Sequence, residues 1–297
     1  MNELSCCITH IFDNYYIIIS SIITIIQQFL FFIIAAYFKF DKVTDFAGAT
    51  NFFVISITTL SLGASFNTRQ LLISFGCCLW SIRLTGYLLM RILKIKKDER
   101  FDNLNRGFTL QFALFWVIQA LWVMIVSSPI ILVNSECCIN LELNSQDVIG
   151  ISFWLIGFII ESVSDYQKFN FKNNENNLNK FCNVGLWSIS RHPNYFGEII
   201  LWWGIFISSC RIFSPIMYIS ILSPITITIL LLFVSGVNLL ENSSDNKYGN
   251  LIEYIEYKKS VSVLIPFPQS IYSKLPLIIK KTVFLDFPIY NKLIIQS

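Results

Sequence analysis

The sequence has little charge and only two histidines, and these shortages exclude several classes of protein. Charged residues make up 14% of the 297 residues, against roughly 25% in ordinary soluble domains. The net charge is only +3, and the basic residues fall in short clusters rather than on a continuous basic face, so nucleic-acid binding is not indicated. Hydrophobic residues account for 54% of the chain, which predicts a membrane protein.

Sequence motifs of several soluble enzymes are also missing. There is no GxGxxG and no Walker loop for a nucleotide, and no GxSxG or HExxH. Two histidines are too few for a Cys/His zinc site and none of the eight cysteines has CxxC spacing, so no metal site is predicted. Buried free thiols are expected, and a bridge between the pairs Cys6-Cys7 and Cys137-Cys138 is left open. Any cofactor is therefore expected between helices.

Long apolar runs predict an all-α, polytopic helical bundle with about seven membrane spans. About 20 apolar residues suffice for one helix to cross a bilayer. The predicted spans are 16–38, 43–62, 71–93, 109–133, 148–163, 195–209 and 216–237. They belong to a single membrane-embedded domain, 16–268. A polar segment, 1–15, precedes it without the basic stretch of a signal peptide, and a tail, 269–297, follows it.

The distribution of Lys and Arg predicts the orientation of these spans. The segments that follow the first, third, fifth and seventh spans hold 18 of the 22 basic residues. Because cytosolic loops are enriched in Lys and Arg, these segments are expected in the cytosol. The amino terminus is then lumenal and the carboxyl terminus cytosolic.

The stretch 185–204, GLWSISRHPNYFGEIILWWG, joins polar side chains directly to an apolar helix. Five of its residues suit ligand binding and lie within eight positions: Arg191, His192, Asn194, Tyr195 and Glu198. Ionisable groups at the mouth of a buried helix are costly and usually mark a site. Pro193 is expected near the start of that helix, where free backbone amides favour an anion.

Two further polar clusters are predicted on the same cytosolic side: residues 165–172, and the tyrosines after residue 238. Lys168, Lys172 and Arg191 offer the cations that an anionic cofactor needs, and arginine suits bidentate phosphate contact. Snorkelling is an equal alternative for either lysine alone. His192 is either a proton shuttle or a residue that orients the loop. Trp202 and Trp203 are interpreted as membrane-interface residues.

These residues resemble the DUF1295 group of the steroid 5-alpha-reductase and sterol reductase superfamily of membrane enzymes. The matching elements are E-x-x-x-D-x-Q-K-x-x-F from Glu161, GLWSISRHPNYFGE, SGVNLLE at 235–241 and the tail EYIEYKKSVSVLIPFP. An upstream set, LWSIRLTGYLLMR with DERFDNL, matches as well. The resemblance covers nearly all of residues 40–268.

The resemblance implies reduction of a carbon–carbon double bond by NADPH in a cavity that faces the cytosol, in the endoplasmic reticulum. A lipid, steroid-like or other enone substrate would accept a hydride at its β-carbon, and an acid would protonate the enolate. Glu198 falls near the nicotinamide end and is a candidate catalytic residue. The cofactor-binding candidates are Asp165, Lys168, Lys172, Arg191, His192, Asn194, Tyr195, Tyr254 and Tyr257.

One position departs from the pattern. Steroid reductases carry a tyrosine on the third span that binds the substrate carbonyl, and Trp80 stands there in this chain. An indole N–H donates a hydrogen bond but supplies no proton, so Tyr87, two helical turns away, is the candidate proton donor. The alternative function is a methyltransferase that uses S-adenosylmethionine, of the isoprenylcysteine or phospholipid type. A non-catalytic membrane scaffold is a third class.

Overall fold

A computed structural model describes residues 13–39, 43–94, 107–136 and 142–291, with the side chains of 91–94 excepted. Over these ranges the chain forms helices and no β-strand. The predicted all-α polytopic bundle is confirmed. The paired cysteines 6–7 and 137–138 lie outside the described residues, while Cys77, Cys78, Cys182 and Cys210 are free thiols.

Six helical segments of the described ranges are long and apolar enough to cross a membrane. They are α1 (Ile17–Phe38), α2 (Val43–Gly63), the part Thr68–Met90 of α3 (Thr68–Lys94), α4 (Leu110–Ser135), α5 (Ser145–Asn173) and the composite segment Pro215–Tyr248.

Six of the seven predicted spans correspond to these candidates. The predicted span 195–209 is α6 (Pro193–Ser209), which has only 17 residues and is about 26 Å long at 1.5 Å per residue. Pro193 fixes its start, and the 3₁₀ turn Cys210–Ile212 ends it.

Helix α5 is longer than its apolar run predicts. The predicted span ends at Val163, but the helix continues to Asn173. No proline or glycine interrupts residues 158–173, so nothing stops the helix where the chain becomes polar. Asp165, Lys168 and Lys172 are consequently spaced by three and four residues, and they share one face of the helix.

The segment Pro215–Tyr248 is not one continuous helix. It begins as a 3₁₀ helix, Pro215–Ile221, continues as α7 (Leu222–Ile229), and passes through a π-helical turn, Leu230–Val234, into α8 (Val237–Tyr248). Gly236 lies at the break, where a Cβ would be 2.2 Å from the carbonyl oxygen of Leu231. Three shorter helices follow, α9 (Ile252–Ser260), α10 (Gln269–Tyr272) and α11 (Leu277–Thr282).

The chain divides into two compact units, and the first comprises Met1–Ile151 with Gly204–Thr226. In this unit α2 packs against α1, α3 and α4. Its buried face is polar: the Asn51 Oδ1 accepts a hydrogen bond from Gln28 (3.1 Å) and the Thr59 Oγ1 accepts one from Asn134 (2.9 Å). Hydrogen bonds between helices stabilise a bundle in lipid, which explains why this span is the less apolar of the first two.

A buried ion pair links α3 and α5 in the first unit. The Arg69 Nε and Nη2 donate to the two carboxylate oxygens of Asp147, both at 2.7 Å. Both side chains are almost completely buried. This fork-to-fork geometry is the strong form of an arginine–carboxylate contact, so the pair fixes the starts of the two helices.

The second unit comprises Ser152–Trp203 with Ile227–Ser297. In it α5 and α6 approach closely at two glycines, because a Cβ on Gly157 would be 2.4 Å from the carbonyl oxygen of Gly197. This unit contains every predicted site residue except Tyr87.

Candidate functional site

The loop before α6 is hydrogen-bonded to the backbone of residues 262–267. The Arg191 N–H donates to the Ser262 carbonyl oxygen (2.8 Å), the Ser190 hydroxyl donates to that of Leu264 (2.7 Å), and the Phe267 N–H donates to that of Ile189 (3.0 Å). The tail motif SVSVLIPFP therefore runs beside the RHPNY motif. The first helical residue after the loop is Pro193, which confirms the expected helix start.

Arg191 is buried among carboxylates. It is only 4% exposed, its Nη1 donates to Glu241 (3.0 Å), and its Nη2 donates to Asp286 (2.9 Å). Asn291 accepts longer bonds from both nitrogens. Burial alone lowers the pKa of this guanidinium, but Glu241 and Asp286 raise the pKa above its ordinary value. The terminal nitrogens expected to bind a phosphate are thus engaged in ion pairs within the chain.

Glu241, on α8, is the centre of the cluster. Its carboxylate accepts from the Arg191 Nη1, contacts the His192 Nε2 (2.8 Å) and pairs with the Lys258 Nζ (3.0 Å). Lys258 also donates to both oxygens of Asp245, at 2.6 and 2.8 Å. A carboxylate that receives three donors orders the groups around it, so Glu241 sets the positions of two consecutive motif residues.

The segment after residue 268 completes this cluster. Asp286 accepts from Tyr272 and from the Asn291 Nδ2 (2.7 Å), and the Tyr290 carbonyl accepts from Lys258 (2.7 Å). Tyr290 also donates from its hydroxyl to the Leu232 carbonyl oxygen (2.8 Å), in the π-helical turn. Part of the predicted tail 269–297 is therefore packed into the second unit around Arg191.

His192 is buried and its protonation state follows from its partner. A carboxylate only accepts, so the Nε2 carries the hydrogen that reaches Glu241. Burial lowers the pKa of the imidazole, outweighing the hydrogen bond to Glu241 that raises it. The neutral ring then has a bare acceptor at Nδ1, which has no hydrogen-bond partner among the described residues. Tyr195 stacks on the ring, with centroids 5.6 Å apart and an interplanar angle of 8°.

Asn194 and Glu198 lie one turn apart on α6. A separation of four residues places both on one face of the helix, and both side chains are half-buried. The Asn194 Oδ1 is buried without a hydrogen-bond partner among the described residues. The start of α6 thus carries two buried acceptors within three residues, the His192 Nδ1 and the Asn194 Oδ1.

Lys168 projects from α5 over an aromatic ring. Its Nζ lies 4.1 Å from the centroid of Trp187, a cation–π contact. The Trp187 Nε1 donates to the Ser164 carbonyl oxygen (2.8 Å), which fixes that ring against the same helix. Within the described residues the half-buried ammonium of Lys168 has no hydrogen bond and no ion pair, so its three hydrogens are available to an anion. Lys172, in the last turn of α5, is exposed, and Asp165 is buried.

A shallow groove of about 360 Å³ lies beside this lysine-bearing face. It is lined mostly by amides and aromatic rings, namely Tyr166, Gln167, Asn170, Phe171, Asn174, Asn177 and Val184. Gln167 accepts a hydrogen bond from the Leu186 N–H (2.9 Å). Gly185, with φ of +57°, leaves no room for a Cβ against the Gln167 amide.

Tyr254 and Tyr257, on α9, donate hydrogen bonds within the second unit. The Tyr254 hydroxyl donates to Asp245 (2.8 Å) and the Tyr257 hydroxyl donates to the Trp187 carbonyl oxygen (2.6 Å). Burial raises the pKa of both phenols above the ordinary value. Both hydroxyls therefore remain protonated donors at neutral pH, and their hydrogens are already used.

Trp202, Trp80 and Tyr87 differ in how deeply they are buried. Trp202 is fully buried, so its interpretation as a membrane-interface residue is wrong. The reason is its position on the packed face of α6. In the first unit, Trp80 is fully buried with its ring 5.3 Å from that of Phe52. Tyr87 is half-buried, with the Arg83 guanidinium 6.0 Å from its ring centroid.

Most of the partners of Arg191 were not predicted from the sequence. Glu241 carried a signal, because an isolated carboxylate at the end of an apolar run needs a partner. Nothing in the local sequence distinguishes the buried Lys258 from the exposed Lys259 beside it, or marks Asp286 as a ligand for an arginine 95 positions earlier.

Fold and site together define a polytopic helical membrane protein with a buried charged cluster at the RHPNY motif. The chain belongs to the family described as a protein of unknown function (DUF1295), whose model matches residues 31–261. No curated protein and no solved structure matches the chain.

Proposed function

We propose that the chain is an integral membrane oxidoreductase that reduces a carbon–carbon double bond of a lipid, steroid-like or other enone substrate with NADPH. The observation that carries this proposal is the half-buried ammonium of Lys168, which lies over Trp187 without an ion pair or hydrogen bond among the described residues. A partly buried cation of this kind suits a phosphate group. Lys172, four residues further on the same helix face, adds a second cation.

The residues at the start of α6 fit the other end of such a cofactor. The His192 Nδ1 and the Asn194 Oδ1 are buried acceptors that receive no hydrogen bond from the described part of the chain, and leaving such atoms unpaired is costly. A bound group that carries N–H donors, such as a carboxamide, would satisfy them. Arg191 acts on these neighbours through Glu241 and is a positioning residue in this proposal.

When bound, NADPH supplies a hydride. The chain must then supply the proton, the second half of a double-bond reduction. Tyr87 carries a phenol that can donate a proton, and Glu198 lies one turn into α6 beside Asn194.

Substitution of Lys168 tests the proposal. We expect Lys168→Ala to weaken NADPH binding by about 1.5–3 kcal/mol, the usual contribution of a hydrogen bond to a charged group. The NADPH concentration needed for half-maximal oxidation should therefore rise about 10- to 150-fold, since 1.4 kcal/mol is a factor of ten. The measurement is NADPH oxidation by purified protein in nanodiscs with a panel of enone lipids.

Lys180→Ala is the matched control, because Lys180 is exposed in the loop after α5. This variant should behave as the wild type. Equal effects of the two substitutions would remove Lys168 from the cofactor site. Methyl transfer from S-adenosylmethionine by the same preparation would replace the reductase with the alternative function.

We also propose that the protein resides in the endoplasmic reticulum with a lumenal amino terminus and a cytosolic carboxyl terminus. The concentration of 18 of 22 basic residues in alternate segments supports this orientation. It requires α6 to cross the membrane despite its 17 residues. An N-glycosylation acceptor added after Ser297 should remain unmodified in microsomes, whereas one added before Met1 should be modified. The reverse pattern would invert the topology.

A further inference from the structure

We infer that residues 269–285, the segment that carries α10 and α11, bind the surface of an anionic lipid bilayer. Three observations support this inference: exposed apolar side chains, an excess of positive charge, and contact between a membrane span and the residues that directly follow the segment.

The apolar side chains are the first observation. Leu277 is 72% exposed and Ile278 is 70% exposed. Val283 and Ile271 are also exposed, at 56% and 50%. These residues lie outside every candidate span. Large aliphatic side chains exposed next to one another usually mark a surface that another apolar phase covers.

The charge of the segment indicates that the apolar phase covering these side chains is an anionic lipid bilayer. Residues 269–285 contain three lysines, Lys274, Lys280 and Lys281, and no aspartate or glutamate. Lys274 and Lys281 are exposed. Apolar side chains interspersed with lysines suit the headgroup layer of a bilayer. The apolar side chains can enter the boundary of the acyl chains, while the lysines contact anionic headgroups.

The third observation places the segment beside the bilayer. The ring of Phe287, two residues after its end, lies 5.6 Å from the ring of Phe233. Tyr290 donates a hydrogen bond to Leu232. Phe233 and Leu232 both belong to the span Pro215–Tyr248. The surface segment thus leads directly into Asp286, the second carboxylate on Arg191.

Photocrosslinking of the full chain tests this inference. The variants Leu277→p-benzoylphenylalanine and Ile278→p-benzoylphenylalanine are reconstituted in nanodiscs of mixed phosphatidylcholine and phosphatidylglycerol, irradiated and analysed by mass spectrometry. We expect lipid adducts at both positions, with phosphatidylglycerol enriched severalfold over its share of the bilayer. Asn176→p-benzoylphenylalanine, in an exposed polar loop, should give none.

Lys274→Gln and Lys281→Gln in the same background should return the adducts to the composition of the bilayer. Folding of each variant is checked by its thermal unfolding. Adducts with a second copy of the chain, the absence of lipid adducts, or adducts without phosphatidylglycerol enrichment in the parent variants would overturn the inference.

Discussion

Glu241→Ala is expected to lower the free energy of unfolding by about 3–5 kcal/mol, the usual cost of removing one partner from a buried ion pair. Among the described residues, the substitution leaves Arg191 with Asp286 as its one charged partner and removes one of the two carboxylates that contact Lys258. It also leaves the His192 Nε2 without an acceptor. Three donors lose a partner at once, and each is buried, so the loss should lie in the upper part of that range.

The measurement is unfolding of the purified protein in mild detergent, followed by helicity during a titration with a denaturing detergent. Glu253→Ala is the matched control, because Glu253 is an exposed carboxylate on the neighbouring α9 and should change stability little. Glu241→Gln keeps the shape and should fall between the two. A stable Glu241→Ala protein would show that the cluster does not hold the motif in place.

Arg69→Ala is the second substitution with a large expected effect, again about 3–5 kcal/mol of unfolding free energy. It leaves the buried carboxylate of Asp147 without its ion-pair partner, since the two carboxylate oxygens lose the bonds from the Arg69 Nε and Nη2. The same detergent titration measures it, and Lys180→Ala, at an exposed lysine, is the control.

A double variant separates the buried charge from the packing. Arg69→Met combined with Asp147→Leu removes both charges and keeps the volume apolar, which is often neutral or stabilising for a buried pair. Its stability should recover towards that of the wild type. If the double variant is less stable than Arg69→Ala alone, then the pair contributes more than the cost of an unpaired charge.

The sequence predicted most of the helices because hydropathy is a direct requirement of the bilayer. The bounds of α1, α2 and α4 fall within two residues of their apolar runs. Helix α5 was predicted to end ten residues too early, since apolarity ends at the membrane surface while a helix ends only where capping or a helix breaker stops it. The π-helical turn at Leu230–Val234 has no hydropathy signal at all.

The residues of the candidate site were also predictable from the sequence only in part. The polar residues at the start of α6 were predicted because ionisable side chains have a high free energy in an apolar environment and usually mark a site. Their partners were not, because the contacts of Arg191 with Glu241 and Asp286 join residues 50 and 95 positions apart. Only the fold brings these carboxylates to the motif. Sequence spacing therefore could not show that the Arg191 guanidinium is already paired with carboxylates of the chain.

Titration calorimetry of the wild-type protein in nanodiscs tests the central claim most directly. NADPH and S-adenosylmethionine are added separately to the same preparation. The account predicts a saturable heat with NADPH and none with S-adenosylmethionine. Binding of S-adenosylmethionine together with no response to NADPH would contradict it.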